Sequence, residues 1–220
     1  MSKAQLWLEK EALEKRIKAC RSPLILHLAT HGFFLKDQAD DLTAAQRGLG
    51  ALGWVAGHQV SGPRVENPLL RSGLALAGAN WKCRGFIPPP EAEDGWLTAE
   101  DVSGMDLLAT ELAVLSACDT AKGEVRVGEG VFGLRRAFVL AGAKTLVMSL
   151  WEVPDRQTQE LMVGFYHYLL AGKPRAEALL QAQLDMKQKY PHPYFWGAFI
   201  CQGDPSPLPQ SEVSAVVGRD

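Results

Sequence analysis

Five short runs of nearly unbroken apolar residues constrain this chain most: LILHLAT (24–30), GLALAGA (73–79), ELAVLSA (111–117), KTLVMSL (144–150) and FWGAFIC (195–201). A strand wetted on one face alternates apolar and polar residues, so runs without that alternation predict strands covered on both faces. A mainly parallel sheet meets that condition, because its crossover helices lie on both sides. Helical patterns fall between the runs. Residues 3–19 are rich in Leu, Glu and Lys, with charges spaced for pairing one turn apart. Residues 129–141 align Val131, Leu134 and Phe138, and 156–171 align Leu161, Met162, Phe165, Tyr166, Leu169 and Leu170. Residues 174–189 repeat Ala176, Leu180 and Leu184 behind Pro174, a residue suited to a first helical turn. The alternation predicts a layered α/β fold with a mainly parallel sheet and helices on both faces.

Segments 36–66 and 82–96 interrupt the rhythm with Gly, Pro and charge, and read as long surface loops. Residues 1–204 are expected to form one domain, and PSPLPQSEVSAVVGRD (205–220) a flexible tail. The 220 residues carry a net charge of −2, with the basic residues spread along the chain, which supports neither a nucleic-acid footprint nor a polybasic membrane patch. No apolar run approaches the roughly 18–20 residues of a membrane span. The charged start is unlike a signal peptide. Cys20, Cys83, Cys118 and Cys201 are scattered without a C-x-x-C pair, as expected for free thiols in a cytoplasmic protein.

Two motifs invite over-reading. GLGALG (48–53) matches G-x-G-x-x-G, but a dinucleotide fingerprint follows a buried strand, and here DDLTAAQR precedes it. A flexible loop is the better reading. HLATH (27–31) has the histidine spacing of a helical zinc motif, yet lacks its glutamate and sits in a strand-like run. On a strand, residues four apart lie about 13 Å from each other, too far to share one ion. His27 is therefore read as a core or helix-facing histidine with a satisfied hydrogen bond.

His31 stands where the first run ends, directly before Gly32, whose backbone N–H can approach a reacting oxygen closely. Cys118 stands at the matching end of ELAVLSA. Ligands of open parallel sheets bind outside the carboxyl ends of the strands. If the two strands are neighbours, the pair has the chemistry of a nucleophile and its acid–base partner. Position alone leaves open whether Cys118 is that nucleophile or a small core residue.

The series HLATHGFF (27–34), NPLLRSGLALAGAN (67–80), GWLTAEDV (95–102), LSACDT (115–120), GEGVFGLRRAF (128–138) and SLWEVPD (149–155) resembles the CHAT domain. This caspase-like module is related to the separases and often follows tetratricopeptide repeats. The resemblance spans roughly residues 20–204. It implies a three-layer caspase-like sandwich and, where active, a cysteine endopeptidase that needs no cofactor or metal. The family's catalytic histidine maps onto His31 and its nucleophile onto Cys118, with the N–H groups of Gly32 and Cys118 as oxyanion donors. The caspase signature is met only as Ala117-Cys118, and 87 positions separate His31 from Cys118, against about 50 in caspases.

SLWEVPD is similar to a separase segment beside the pocket for a basic residue, which implies substrate contacts from Trp151, Glu152 and Asp155. Asp155 equally suits a helix N-cap, with Thr158 three residues on. Metacaspases carry an aspartate two residues before the cysteine; here that position is Ser116. Only the segment 3–19 precedes the histidine-bearing strand, fewer elements than caspase-like sheets have, so a missing edge strand or a longer parent chain is expected. The partners implied are a protein or peptide substrate and a tetratricopeptide-repeat regulator, with no nucleic acid and no membrane. The alternative from another class is a non-catalytic CHAT-type scaffold that binds proteins.

Overall fold

A computed structural model describes residues 4–34, 68–81, 87, 92–116 and 129–211. GLGALG, Cys83 and Cys118 lie outside the described residues. The strands are β1 (Ile25–Leu28), β2 (His31–Phe34), β3 (Ser72–Ala75), β4 (Trp96–Thr98), β5 (Leu112–Leu115), β6 (Thr145–Ser149) and β7 (Phe199–Gly203). The helices are α1 (Glu14–Lys18), α2 (Ala99–Ser103), α3 (Glu129–Leu140), α4 (Asp155–Leu170) and α5 (Arg175–Lys189).

The central sheet has the order β1-β5-β6-β7, with β1, β5 and β6 parallel and β7 antiparallel to β6. Side chains alternate across a strand, and this alternation divides the core in two. Leu26, Leu28, Ala113, Leu115, Leu146 and Met148 join Leu134, Ala137 and Phe138 of α3 on one face. Leu112, Val114 and Val147 join Leu161, Phe165 and Leu169 of α4 and Ala178, Leu179 and Ala182 of α5 on the other. Hence β5 and β6 are buried at every position, as their unbroken apolar runs require. The result is a mixed α/β fold with a mainly parallel sheet covered on both faces.

GLALAGA departs from expectation. Its strand, β3, lies in a separate antiparallel sheet ordered β2-β3-β4. An apolar run signals burial rather than strand direction, and β3 is the middle strand, with Leu74 and Leu97 entering the first core. Gly73 is required there: a Cβ would lie 2.4 Å from the Leu97 carbonyl oxygen and 2.7 Å from the Phe33 ring. That ring in turn packs edge-on against Trp96, with centroids 4.8 Å apart.

The helix expected over 3–19 is reduced to a 3-10 turn at Glu9–Glu11 and the five residues of α1. Glu9 takes a φ of 47°, which ends helical continuity. Tertiary contacts replace the helix: Ala77 N–H donates to Ala12 O at 3.0 Å, and buried Glu14 accepts from Gly95 N–H at 3.0 Å and from Lys18 at 3.0 Å. Burial raises the Glu14 carboxyl to about pKa 7 against the pull of Lys18.

At the amino end of the central sheet, Arg175 is bound to Glu111 and donates to Thr145 Oγ1 at 2.7 Å. Lys144 holds the second Glu111 oxygen at 2.5 Å. Residues 205–211, expected to be tail, pack onto the domain: Leu208 is 2% exposed among α4 and α5 side chains.

Candidate active site

The site is built at the carboxyl ends of β1, β5 and β6. The parallel pairing of β1 with β5 sets Leu28 beside Leu115, and that of β5 with β6 sets Leu115 beside Met148. Ser116 N–H then donates to Leu28 O at 3.0 Å, extending the ladder one residue past β5. From Leu28 the chain leaves the central sheet. The Thr30 hydroxyl donates to Ala75 O, and His31 opens β2 opposite Ala75, with Gly32 opposite Leu74. His31 therefore sits at the start of a second strand, three residues after β1 ends, and its side chain is exposed. Ser116, one residue past β5, is two positions before Cys118.

The SLWEVPD segment leaves β6 at the same sheet end. Leu150 N–H donates to Ala198 O at 2.9 Å and Trp151 Nε1 donates to Tyr194 O at 3.1 Å, which ties the segment to the chain before β7. Val153 is buried, whereas Trp151, Glu152 and Asp155 reach the surface. Asp155 is not the N-cap. Pro154 occupies that position without a side-chain cap, and Asp155 is the first residue of α4. Thr158 Oγ1 donates instead to Val153 O at 3.4 Å. A carboxylate in a first turn is still favoured by the helix dipole, so the acidic residue suits the place without capping it.

A three-residue chain of hydrogen bonds runs along the other face of this edge. His27 Nε2 lies 3.0 Å from Ser116 Oγ, and His27 Nδ1 lies 3.0 Å from the Tyr166 hydroxyl of α4. Alternation along β1 and β5 puts His27, Val114 and Ser116 on the α4 side, so His27 is helix-facing with both nitrogens engaged. The ring keeps a solvent-exposed edge, yet the protein packed around it lowers its pKa from 6.5, because burial disfavours the imidazolium. Burial also pushes the Tyr166 phenol up, so it remains an O–H group. Sequence reasoning assigned His27 a satisfied bond but missed both partners, one 89 and the other 139 positions away.

The two described cysteines lie elsewhere. Cys20 and Cys201 are half-buried, and burial raises both thiols above their usual range. Among the described residues, no three His, Cys, Asp or Glu side chains gather to hold a metal, and no helix is long and apolar enough to cross a membrane.

A mainly parallel sheet between helical layers, with an exposed histidine and an acidic segment beyond its carboxyl edge, defines a caspase-like α/β class. The CHAT domain model matches residues 2–204, and the chain belongs to the CHAT domain family. It is 31% identical over 132 residues to Tetratricopeptide repeat protein 28 of Homo sapiens and 32% identical over 133 residues to its Mus musculus counterpart. Each match covers 59% of this chain and 5% of the relative, so the chain corresponds to a small part of those proteins.

Proposed function

We propose that this CHAT domain is a cysteine endopeptidase acting through Cys118 and His31. The observation that carries the reading is the parallel pairing of β1 with β5, which starts the His31 and Cys118 segments from neighbouring strand ends. Each residue follows the last residue of its strand by three positions. In the proposed reaction the Cys118 thiolate attacks the scissile carbonyl carbon, forming a C–S bond and an oxyanion held by the N–H groups of Gly32 and Cys118. The oxyanion collapses, the C–N bond breaks, and His31 gives its proton to the leaving amine. Water then attacks the thioester with His31 as base, releasing the carboxylic acid and restoring the thiol. Trp151, Glu152 and Asp155 flank the substrate, and the carboxylates of Glu152 and Asp155 favour a basic residue before the cut. A tetratricopeptide-repeat domain or partner regulates the site, by analogy with the names of the relatives.

The test is labelling with a peptidyl chloromethyl ketone ending in arginine, read by mass spectrometry. Selective modification of Cys118 that His31→Ala abolishes is expected. Cys20 and Cys201 should react slowly, because their raised pKa values leave little thiolate. Equal labelling of all exposed cysteines, independent of His31, would assign the chain to a protein-binding scaffold instead.

A further inference from the structure

An imidazole bonded at both nitrogens holds its neighbours as firmly as they hold it. Here the neighbours belong to different layers. Ser116 directly follows the strand β5, and Tyr166 lies four residues before the end of α4, which packs on that sheet through Leu161, Phe165 and Leu169. His27 itself is on β1, whose Leu28 carbonyl also accepts the Ser116 N–H. Ser116 is thus fixed twice, through its backbone to Leu28 and through its hydroxyl to His27. Only Ala117 separates it from Cys118.

We infer that His27 is a positioning residue for the proposed nucleophile: its bonds to Ser116 Oγ and Tyr166 OH fix the strand end from which Cys118 departs. The inference rests on the peptidase reading of Cys118 and His31. A neutral ring has one N–H and one lone pair, so the two bonds run in one direction along the chain. Either Tyr166 donates to Nδ1 and Nε2–H donates to Ser116, or both are reversed. The lowered His27 pKa and the protonated phenol keep this one-way arrangement in place at neutral pH. A serine hydroxyl without a partner would leave the segment one anchor instead of two, and a misplaced nucleophile loses rate more than affinity.

The distinguishing measurement separates the rate of covalent modification by the arginine chloromethyl ketone (kinact) from its binding constant (KI) in the full chain. Ser116→Ala and His27→Ala are expected to lower kinact about threefold to tenfold, the loss of one or two hydrogen bonds, with KI nearly unchanged. His27→Gln places an amide near the Nε2 position and should restore most of the rate, since only the Tyr166 bond is lost. Tyr166→Phe removes a single hydroxyl and guards against a variant that fails to fold; it should show a smaller fall in kinact at the wild-type melting temperature. Unchanged kinact in Ser116→Ala and His27→Ala, with His31→Ala inactive, overturns the positioning role and leaves the dyad standing. So does a His27→Gln protein as slow as His27→Ala. Full-rate labelling in His31→Ala overturns the dyad itself, and the positioning role falls with it.

Discussion

At the amino end of the central sheet, Arg175 and Glu111 are withdrawn from water and bound to each other, with side chains only 1% and 7% exposed. At the carboxyl end of the same sheet, His31, Trp151, Glu152 and Asp155 reach the surface. The strands are identical; only their ends differ. A buried charge pair is a strong geometric constraint but tolerates no missing partner, since desolvation has already been incurred. Polar groups at an open edge cost little to keep solvated and remain available to a ligand. The difference teaches that the buried, paired end and the end proposed to be reactive are opposite, so that substitutions at one need not disturb the other.

That separation can be broken in graded ways. The largest effect is expected at the open end: Cys118→Ala should abolish peptide cleavage, by a factor of about 10³ or more, while the melting temperature changes little. Cleavage retained by that variant would remove Cys118 from the mechanism. At the closed end, Glu111→Ala leaves buried Arg175 with only the half-exposed Asp204 carboxylate at 3.5 Å as an ionic partner and should cost about 3–5 kcal/mol in urea unfolding. Replacing both members, as in Glu111→Met with Arg175→Leu, should recover much of the loss; a double variant as unstable as the single one would deny that the uncompensated charge is the cause.

Gly73→Ala tests the link between the two sheets. Its Cβ must displace Leu97 backbone or the Phe33 ring, at about 1–3 kcal/mol, and Phe33 lies two residues beyond His31 in β2. Thermal unfolding measures the cost, and a fall in activity larger than the stability loss explains would place β2 geometry within the reactive end. Asp155→Asn removes a first-turn carboxylate, for about 0.3–1 kcal/mol of stability. Cleavage after arginine or lysine should fall further than that if the carboxylate also faces substrate, whereas parallel losses confine it to the helix.

The smallest effect is pH dependence at the open end. His27 titrates below 6.5 in the fold, so the unfolded chain takes up its proton first as the solution is acidified. Its contribution to stability is present above pH 6.5 and is lost progressively as pH falls through that value toward the lower native pKa. Glu14, with its carboxyl near pKa 7 in the fold, works the other way and stabilises wild type and variant alike as pH falls. The His27 contribution is therefore read as a difference: from pH 7.5 to 5.5 the urea midpoint of wild type should fall relative to that of His27→Gln. Parallel curves for the two proteins would show that His27 contributes nothing to the pH dependence.

Much of this was legible in the residues. LAVL and TLVMS lack polar alternation and fold as strands buried on both faces. The helices expected over 156–171 and 174–189 appear as α4 and α5 within a residue of their expected ends. The stripe expected on the second, Ala176, Leu180 and Leu184, is exposed, and Ala178, Leu179, Ala182 and Met186 face the core instead. The motif series pointed to the family that the chain belongs to. What escaped were short elements whose existence depends on distant partners. HGFF and WLT are four and three residues long and form strands only because β3 lies between them. FWGAFIC held a strand that begins four residues late, at Phe199, after a 3-10 turn.

By itself the sequence determined which segments must be buried and on what period, since hydrophobic spacing acts locally and survives without any knowledge of neighbours. It also determined the reactive atoms available, because side-chain chemistry is written in residue identity. Only the tertiary structure decided that β3 runs antiparallel in a second sheet, that residues 3–19 give up most of their helix to bury Glu14, and that Arg175 finds Glu111 64 positions away. It alone joined His27 to Ser116 and Tyr166. Each of those outcomes depends on long-range contacts whose free energy exceeds local preference, and such contacts exist only once the chain has closed on itself.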